Sequence, residues 1–274
     1  MAEESRATGV NMNRRHLLAL VLTLTLLAGC NQANSRPSLL VYCAAVARPP
    51  MEAIAARYQA EHGVVIELQF AGSGALISQA EISQQGDLIL PAGLFYVETL
   101  RSEGLVIKSR PIASLLPVII ANPDTAPRIT SLQDLLHEDL RLALANPDTA
   151  AVGAVTKRQF EQKQKWADIK RAVESRGVFT PTVSGVANAV ELGGADAGIV
   201  WDAMTEKMER AVVVPLPAFS AAEDRSLLEI AVLSTARDRA MAAAFMNYVA
   251  DEGRSAFAKR GFGPPGHRLG KGVP

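Results

Sequence analysis

The side chains that usually carry catalysis or hold metals are few and scattered in this chain. The four histidines (His16, His62, His137 and His267) lie far apart, and none has a histidine or cysteine at the spacing of a metal site. The sequence has no P-loop and no G-x-S-x-G nucleophile elbow. We therefore expect no metal site, no cofactor and no catalytic residue, which favours a binding protein over an enzyme.

Cys43 could in principle act as a nucleophile, because it stands near the end of a strand-like apolar run. No histidine lies close to it in the sequence to take its proton. A small buried thiol is the commoner role of such a cysteine. We interpret Cys43 as structural, and an enzyme that uses this thiol is the alternative.

Small residues form four loops that lead from apolar runs into helical patterns: Cys43–Val46, Gly72–Gly74, Ala150–Gly153 and Val183–Gly185. A helix amino terminus exposes unpaired N–H groups and the positive end of the helix dipole. Several such ends together would bind an anion without any lysine or arginine. Any one of these loops by itself is more typical of an ordinary turn between a strand and a helix.

Strand-like runs alternate with helical patterns from Leu39 onward, which predicts an α/β fold with mostly parallel sheets. A final helical stripe runs from Met241 to Val249. The runs predicted as strands are Leu39–Ala44, Val64–Phe70, Asp87–Leu90, Leu115–Ala121, Leu140–Ala145, Ala197–Trp201, Ala211–Pro215 and Leu227–Leu233.

One six-residue segment occurs twice: Ala121–Ala126 and Ala145–Ala150 both read Ala-Asn-Pro-Asp-Thr-Ala. Each copy follows an apolar run, and Asn, Pro and Asp favour turns. A repeat architecture would need more copies at a fixed spacing. We interpret the two copies as equivalent turns at strand ends.

The amino-terminal 29 residues are typical of a secretion leader. Arg14 and Arg15 precede an uncharged apolar run, Leu17–Gly29, which is shorter than the roughly 20 residues that span a membrane. Leu27–Cys30 resembles the lipobox of bacterial lipoproteins. We expect residues 1–29 to be a signal peptide that starts at Met1 or Met12, and an ordinary signal peptide without lipidation is the alternative.

A lipid on Cys30 would tether the exported domain to a membrane through residues 30–37, facing the periplasm or the cell exterior. The composition suits a globular domain, with 49% apolar residues. Lysine plus arginine and aspartate plus glutamate number 28 each, for a net charge of +0. Without a basic run, the sequence predicts no nucleic-acid binding.

Four segments, in order and at similar spacing, resemble the periplasmic molybdate-binding proteins of ABC importers: Val41–Val46, Phe70–Gly74, Gly86–Ala92 and Gly198–Trp201. The resemblance extends from about residue 39 to residue 262. It implies a two-lobed type II periplasmic-binding-protein fold, in which each lobe is a mostly parallel sheet flanked by helices.

The resemblance also implies how the chain divides between the lobes. Lobe 1 would comprise residues 38–119 plus 225–263, and lobe 2 residues 120–224. The chain would cross between them near Val118–Asn122 and again near Pro217–Leu227. Residues 264–274 would form a loose tail.

The resemblance carries five ligand-binding positions onto Val46, Ser73, Val152, Val183 and Trp201. Ser73 keeps the family's hydroxyl, and Val152 and Val183 would offer backbone N–H groups. The family has a serine where Val46 stands and a tyrosine where Trp201 stands. The hydroxyl is therefore lost at the first position, while an indole N–H replaces it at the second.

A monomeric receptor that binds molybdate or tungstate and passes it to an ABC permease is the implied function. Because Val46 and Trp201 depart from the family pattern, the same fold binding sulfate, phosphate or a small organic acid is an alternative. An anchored sensor or scaffold with a degenerate cleft is another. We interpret Asp202 as the cap of a helix from Ala203 to Arg210. Its alternative role is to complete the coordination of the metal in the oxyanion, as carboxylates do in the tungstate-favouring branch of the family.

Overall fold

The computed structural model describes residues 36–216 and 225–265, and the described residues from Ser38 on form one compact unit. The predicted signal peptide, Cys30 and most of the tether lie outside the described residues. So do most of the predicted tail and part of the second predicted crossing. Within the described residues, no helix has both the length and the apolar character needed to cross a bilayer.

Ten strands and eight α-helices follow one another in the described residues. The strands are β1 (Ser38–Ala44), β2 (Val65–Ala71), β3 (Leu88–Leu90), β4 (Val106–Leu115), β5 (Pro117–Ala121), β6 (Leu142–Ala145), β7 (Val178–Thr180), β8 (Ala197–Trp201), β9 (Val212–Val214) and β10 (Ser226–Leu233). The helices are α1 (Arg48–His62), α2 (Ser73–Ser83), α3 (Leu94–Ser102), α4 (Ala151–Gln162), α5 (Trp166–Arg176), α6 (Val183–Glu191), α7 (Arg239–Asp251) and α8 (Arg254–Ala258). Short 3-10 helices lie at Ala45–Ala47, Ala126–Arg128, Leu132–Leu136 and Asp202–Lys207.

The strands form two five-stranded sheets with the same topology. The first sheet has the order β2-β1-β3-β10-β4, and the second has the order β7-β6-β8-β5-β9. In each sheet four strands run in one direction, and only β10 in the first sheet and β5 in the second run in the opposite direction. The predicted α/β class, with two lobes that each hold a mostly parallel sheet, is confirmed.

The chain passes from the first sheet to the second at Leu116. β4 ends one residue before it and β5 begins one residue after it, so the strand predicted over Leu115–Ala121 is β5 preceded by the last residue of β4 and by Leu116. The passage therefore lies before the range Val118–Asn122, and before the lobe boundary after residue 119, that the resemblance implied. A continuous apolar run carries no local signal for a change of sheet.

Most of β4 was not predicted, because Lys108–Pro111 interrupts the apolar pattern with charged residues and a proline. β4 is an edge strand, where polar side chains and proline are tolerated. Its register with β10 shifts where the partner changes from Ala113 to Pro111. A bulge of this kind accommodates a residue that has no N–H to donate.

β1 is buried on both faces, as its continuous apolar run predicts. Leu39, Val41 and Cys43 lie in the large core, while Tyr42 belongs to a second cluster with Leu76 and others on the opposite face. The alternation of side chains along a strand explains this division. Helices therefore cover both sides of the first sheet.

Both sheets have a buried or half-buried aspartate just before the strand that lies beside the antiparallel strand, β3 in the first sheet and β8 in the second. Asp87 precedes β3, and its carboxylate accepts from the Leu40 N–H at 2.8 Å and from the Arg237 N–H at 2.9 Å. Asp196 precedes β8, and its carboxylate accepts from the N–H of Arg141 at 2.8 Å and from its guanidinium at 2.7 Å. In each sheet an aspartate thus ties the start of a central strand to its parallel neighbour.

Replacing the buried Asp87 tests how much these hydrogen bonds to its carboxylate stabilise the fold. We expect Asp87→Asn to lower the free energy of unfolding by about 2 kcal/mol, because an amide cannot accept from all these donors and leaves one unpaired. Urea denaturation measures the change. Asp238→Asn is the matched control: Asp238 caps α7 by accepting from the Met241 N–H, and asparagine caps equally well. An equal loss in both variants would contradict the prediction.

Candidate ligand-binding site

A small cavity lies between the two sheets, where the carboxyl ends of parallel strands meet. Ligands of α/β proteins usually bind at this edge of the sheet. The wall consists of Ala44–Val46, Ala71–Ser73 and Ala92 from the first sheet's side, and of Ala150–Val152, Thr182–Val183 and Trp201 from the second. All five positions named from the sequence, Val46, Ser73, Val152, Val183 and Trp201, lie on this wall.

The cavity is small and partly open. It offers about 10 Å³ to the centre of a water molecule, which is close to the room that one water needs. The two lobes thus stand close together around the cavity.

Helix amino termini point into the cavity from both sheets. α2 begins at Ser73, α4 at Ala151 and α6 at Val183, and the short 3-10 helix at Ala45–Ala47 leads into α1. α2 and α4 have no side-chain cap, so no local side chain accepts from their first N–H groups. The cavity therefore lies at the positive end of several helix dipoles.

Ser73 is buried and places its hydroxyl on the cavity wall. Its Oγ accepts a hydrogen bond from the Ala92 N–H at 2.9 Å. Because that bond occupies the oxygen as an acceptor, the hydroxyl hydrogen can donate to a ligand. The backbone of the Ala92 loop thereby orients the serine.

Two N–H groups at the start of α2 are bonded within the protein. The N–H groups of Gly74 and Ala75 both donate to the Thr149 carbonyl, at 2.9 and 3.4 Å. Thr149 follows β6 in the second sheet, so these bonds join the two lobes. Sequence patterns gave no sign of this contact, and it reduces the number of α2 amides that a ligand could use.

Val46, Val152 and Val183 are buried and apolar, so each can offer a ligand only its backbone N–H. Thr182 caps α6 by accepting from the Gly185 N–H at 3.3 Å, which leaves its hydroxyl hydrogen able to donate. The hydroxyls of Ser73 and Thr182 and the indole N–H of Trp201 are thus the side-chain donors on the wall.

The cavity wall, as far as the described residues form it, has no charged side chain. Arg48 stands two residues beyond Val46, but its guanidinium stacks on the Phe70 ring at 3.9 Å and pairs with Glu52 at 3.2 Å. A charged ligand in the cavity would therefore contact backbone groups rather than charged side chains.

Asp202 follows Trp201 directly, yet it is not part of the cavity wall. Its carboxylate accepts from the Ala203 N–H at 2.9 Å and from the Leu116 N–H at 3.0 Å. Burial raises the pKa of Asp202, and these backbone bonds oppose the rise. The capping interpretation is not confirmed, because the helix is a 3-10 helix over Asp202–Lys207, Trp201 stands at its N-cap position and no side chain caps it.

Cys43 is fully buried one residue before the cavity wall, and its Sγ donates to the Ala44 carbonyl at 3.6 Å. Burial raises the pKa of the thiol well above its usual value, so the thiol stays protonated and is a poor nucleophile. Within residues 36–216 and 225–265, no group of three or more His, Cys, Asp or Glu side chains could hold a metal ion.

The model of the family of bacterial extracellular solute-binding proteins matches residues 39–263, which include both sheets and the whole cavity wall. The chain belongs to this family. The substrate-binding proteins of ABC importers bind a small ligand and work with a permease, and this chain is a solute-binding protein of that kind.

Two relatives align with almost the whole chain. YvgL of Bacillus subtilis, named as an ABC transporter substrate-binding lipoprotein, is 25% identical over 258 residues, which cover 89% of this chain and 96% of YvgL. The molybdate-binding protein ModA of Mycobacterium tuberculosis is 26% identical over 269 residues, which cover 91% of this chain and 97% of ModA.

Solved structures of this fold carry different ligand names. The periplasmic molybdate-binding protein of Azotobacter vinelandii has a TM-score of 0.67 and 16% identity, covering 83% of this chain and 100% of its own. The sulfate-binding protein SubI of Mycobacterium tuberculosis has a TM-score of 0.69 and 15% identity, covering 83% of this chain and 87% of its own. At such identities the likeness establishes the two-lobed fold of this solute-binding protein.

The burial and raised pKa of Cys43 predict an unreactive thiol. In a Cys30→Ala chain, Cys43 should resist iodoacetamide at pH 8 while the protein is folded and react once urea unfolds it. Mass spectrometry counts the modified thiols. Rapid labelling of the folded protein would contradict the assignment and would revive the nucleophile alternative.

Proposed function

We propose that this solute-binding protein captures a tetrahedral oxyanion, molybdate or tungstate in the first place, and delivers it to an ABC permease. The observation that carries the proposal is a small cavity with helix amino termini around it and no charged side chain on its described wall. A lipid on Cys30, a tether over residues 30–37 and a monomeric receptor without cofactor or catalysis belong to the same proposal.

Hydrogen bonds would balance the charge of the enclosed anion. Ser73 would donate through its hydroxyl, Trp201 through its indole, and Val46, Val152 and Val183 through their backbone N–H groups. Each hydrogen bond to a charged group contributes about 1.5–3 kcal/mol. Closure of the lobes excludes water and strengthens every one of these bonds.

The chemistry of the wall favours fully deprotonated anions. Phosphate keeps a proton near neutral pH and needs an acceptor for it, and carboxylates usually serve as that acceptor. No carboxylate lies on the described part of the wall, and Asp202 binds the backbone instead. Molybdate, tungstate and sulfate carry no proton at this pH, so they suit a wall of donors better than phosphate does.

Sulfate is the second candidate, and Val46 is the observation that favours it. An apolar side chain stands where the molybdate-binding family has a hydroxyl donor, so one hydrogen bond is missing from the family's set. A smaller dianion could be bound by the donors that are left. The named ligands of the similar structures, molybdate and sulfate, agree with both candidates.

A thermal-shift panel of the chain from residue 31 onward tests the ligand class. We expect molybdate or tungstate at a thousand times its dissociation constant to add about 4 kcal/mol of stability, with a weaker effect of sulfate and none of phosphate. A shift with sulfate alone would favour the second candidate, and a shift with small carboxylates alone would favour an organic-acid receptor. No shift with any of them would sink the proposal and favour a sensor or scaffold.

Ser73 and Ser83 offer a matched pair of substitutions at opposite ends of α2. Ser73→Ala should weaken molybdate binding about tenfold or more, because it removes a donor to a charged ligand. Ser83→Ala should leave binding unchanged, since that hydroxyl contacts Tyr42 at 3.2 Å, away from the cavity. Calorimetric titration measures both, and equal affinities would remove Ser73 from the site.

Val46→Ser restores the missing hydroxyl and tests the position from the opposite direction. We expect molybdate affinity to rise by up to about tenfold, the worth of one added hydrogen bond to the anion. The same titration, run with sulfate in parallel, shows whether the added donor favours the larger anion. An unchanged affinity for both anions would place Val46 outside the ligand's reach.

A further inference from the structure

The two copies of the Ala-Asn-Pro-Asp-Thr-Ala segment fold into the same turn. In Ala121–Ala126, the N–H groups of Thr125 and Ala126 donate to the Asn122 carbonyl, each at 2.9 Å. In Ala145–Ala150, the N–H groups of Thr149 and Ala150 donate to the Asn146 carbonyl, at 3.2 and 2.9 Å. The predicted equivalence of the two turns is thus visible in their hydrogen bonds.

The first turn follows β5 and the second follows β6. They lie at opposite ends of the strands of the second sheet, because β5 runs antiparallel to β8 and β6 runs parallel to it. Both turns are bonded to their own sheet: the Asn122 N–H donates to the Asp196 carbonyl at 2.9 Å, and the Asn146 N–H donates to the Thr180 carbonyl at 2.8 Å. The second turn follows β6 at the cavity and faces the other lobe. Its Thr149 carbonyl accepts from the Gly74 and Ala75 N–H groups of α2.

Two glycines of the first lobe make this approach possible. A Cβ atom on Gly74 would lie 2.2 Å from the Asp148 carbonyl oxygen, and one on Gly72 would lie 2.2 Å from the Thr149 carbonyl oxygen. For Gly74, the three nearest atoms all belong to Asp148 and Thr149. A methyl group on Gly74 would therefore collide with the second lobe, and no atom of the first lobe would be as close to it.

The charge of Asp148 in the second turn also acts on the first lobe. Burial, and next the charge of Asp148, raise the pKa of Tyr96 on α3 to about 12. The direct polar contacts of the turn with α2 are the two bonds to the Thr149 carbonyl.

We propose that the second turn, Ala145–Ala150, is a latch that holds the two lobes closed and so determines how slowly the bound anion leaves. The latch bonds to the first lobe through the Thr149 carbonyl, which accepts from the Gly74 and Ala75 N–H groups, and Gly72 and Gly74 leave room for it. The identity of the bound anion rests on the proposed function. An anion bound only in the closed state has an apparent affinity scaled by the closed fraction, so the bonds to the Thr149 carbonyl contribute to affinity through closure.

Gly74→Ala tests the latch, and the chain from residue 31 onward contains the whole compact unit that begins at Ser38. Alanine suits a helix better than glycine, so the variant should fold at least as well as the parent. With sodium molybdate, tungstate and sulfate as probes, we expect at least tenfold weaker binding, mainly through faster dissociation. X-ray scattering should show no decrease in the radius of gyration when the anion is added.

Gly194→Ala is the control for a glycine substitution away from the cavity, since its nearest contact is the Ala189 carbonyl oxygen of its own lobe at 3.3 Å. It should bind and compact as the parent does. If Gly74→Ala also binds and compacts like the parent, the latch is wrong and the proposed function stands. If the parent binds none of the three anions, the proposed function fails. The latch is then judged without ligand: a larger radius for Gly74→Ala than for the parent supports it, and equal radii overturn it.

The repeated segment supplies a second matched pair. The Asn146 side chain accepts from the Asp148 N–H at 2.8 Å and so orders the latch, whereas the Asn122 side chain donates to the Ala195 carbonyl at 3.2 Å in the first turn. Asn146→Ala should speed molybdate dissociation about fivefold, while Asn122→Ala should not change it. Equal dissociation rates in the two variants would overturn the latch.

Discussion

Close approach of one backbone to another is the constraint on which the cleft depends. Gly72 and Gly74 touch the turn after β6, and a Cβ on Gly153 would lie 2.3 Å from the Ala145 carbonyl oxygen. Any larger residue at these points would hold the lobes apart or move a helix end away from the cavity. Alanines such as Ala44 and Ala71 also line the wall. The same closeness leaves polar backbone atoms as the main chemistry of the site.

Much of the fold could be predicted from the sequence, because its central strands are continuous apolar runs between turn residues. β1, β3 and β8 were predicted within a residue or two of their ends. Most of β4 was not, since an edge strand tolerates Lys108–Pro111, which has no strand pattern. The passage between sheets at Leu116 was also misplaced, because whether a run continues in one sheet depends on partners distant in sequence.

Part of the candidate site could likewise be predicted from the sequence, and part could not. Resemblance and small-residue loops brought Ser73 and Trp201 to one wall, because helix starts follow strand ends at fixed places in this topology. The bonds from α2 to Thr149 could not be predicted, since they join segments that only the closed arrangement of two lobes brings together. Asp202 shows the same limit: its neighbour Leu116 lies far away in sequence, so the carboxylate's partner was invisible.

The passage at Leu116 has a mechanical consequence. A single residue separates two strands that belong to different sheets, and its backbone is bonded in both directions to Asp202, with the Asp202 N–H donating to the Leu116 carbonyl at 2.8 Å. A connection this short has no slack to let one lobe slide over the other. A connection of this kind favours rotation of the lobes about this point, which is hinge movement, over the sliding of shear movement. Because Trp201 precedes Asp202, the cavity wall lies one residue from the aspartate that is bonded to this connection.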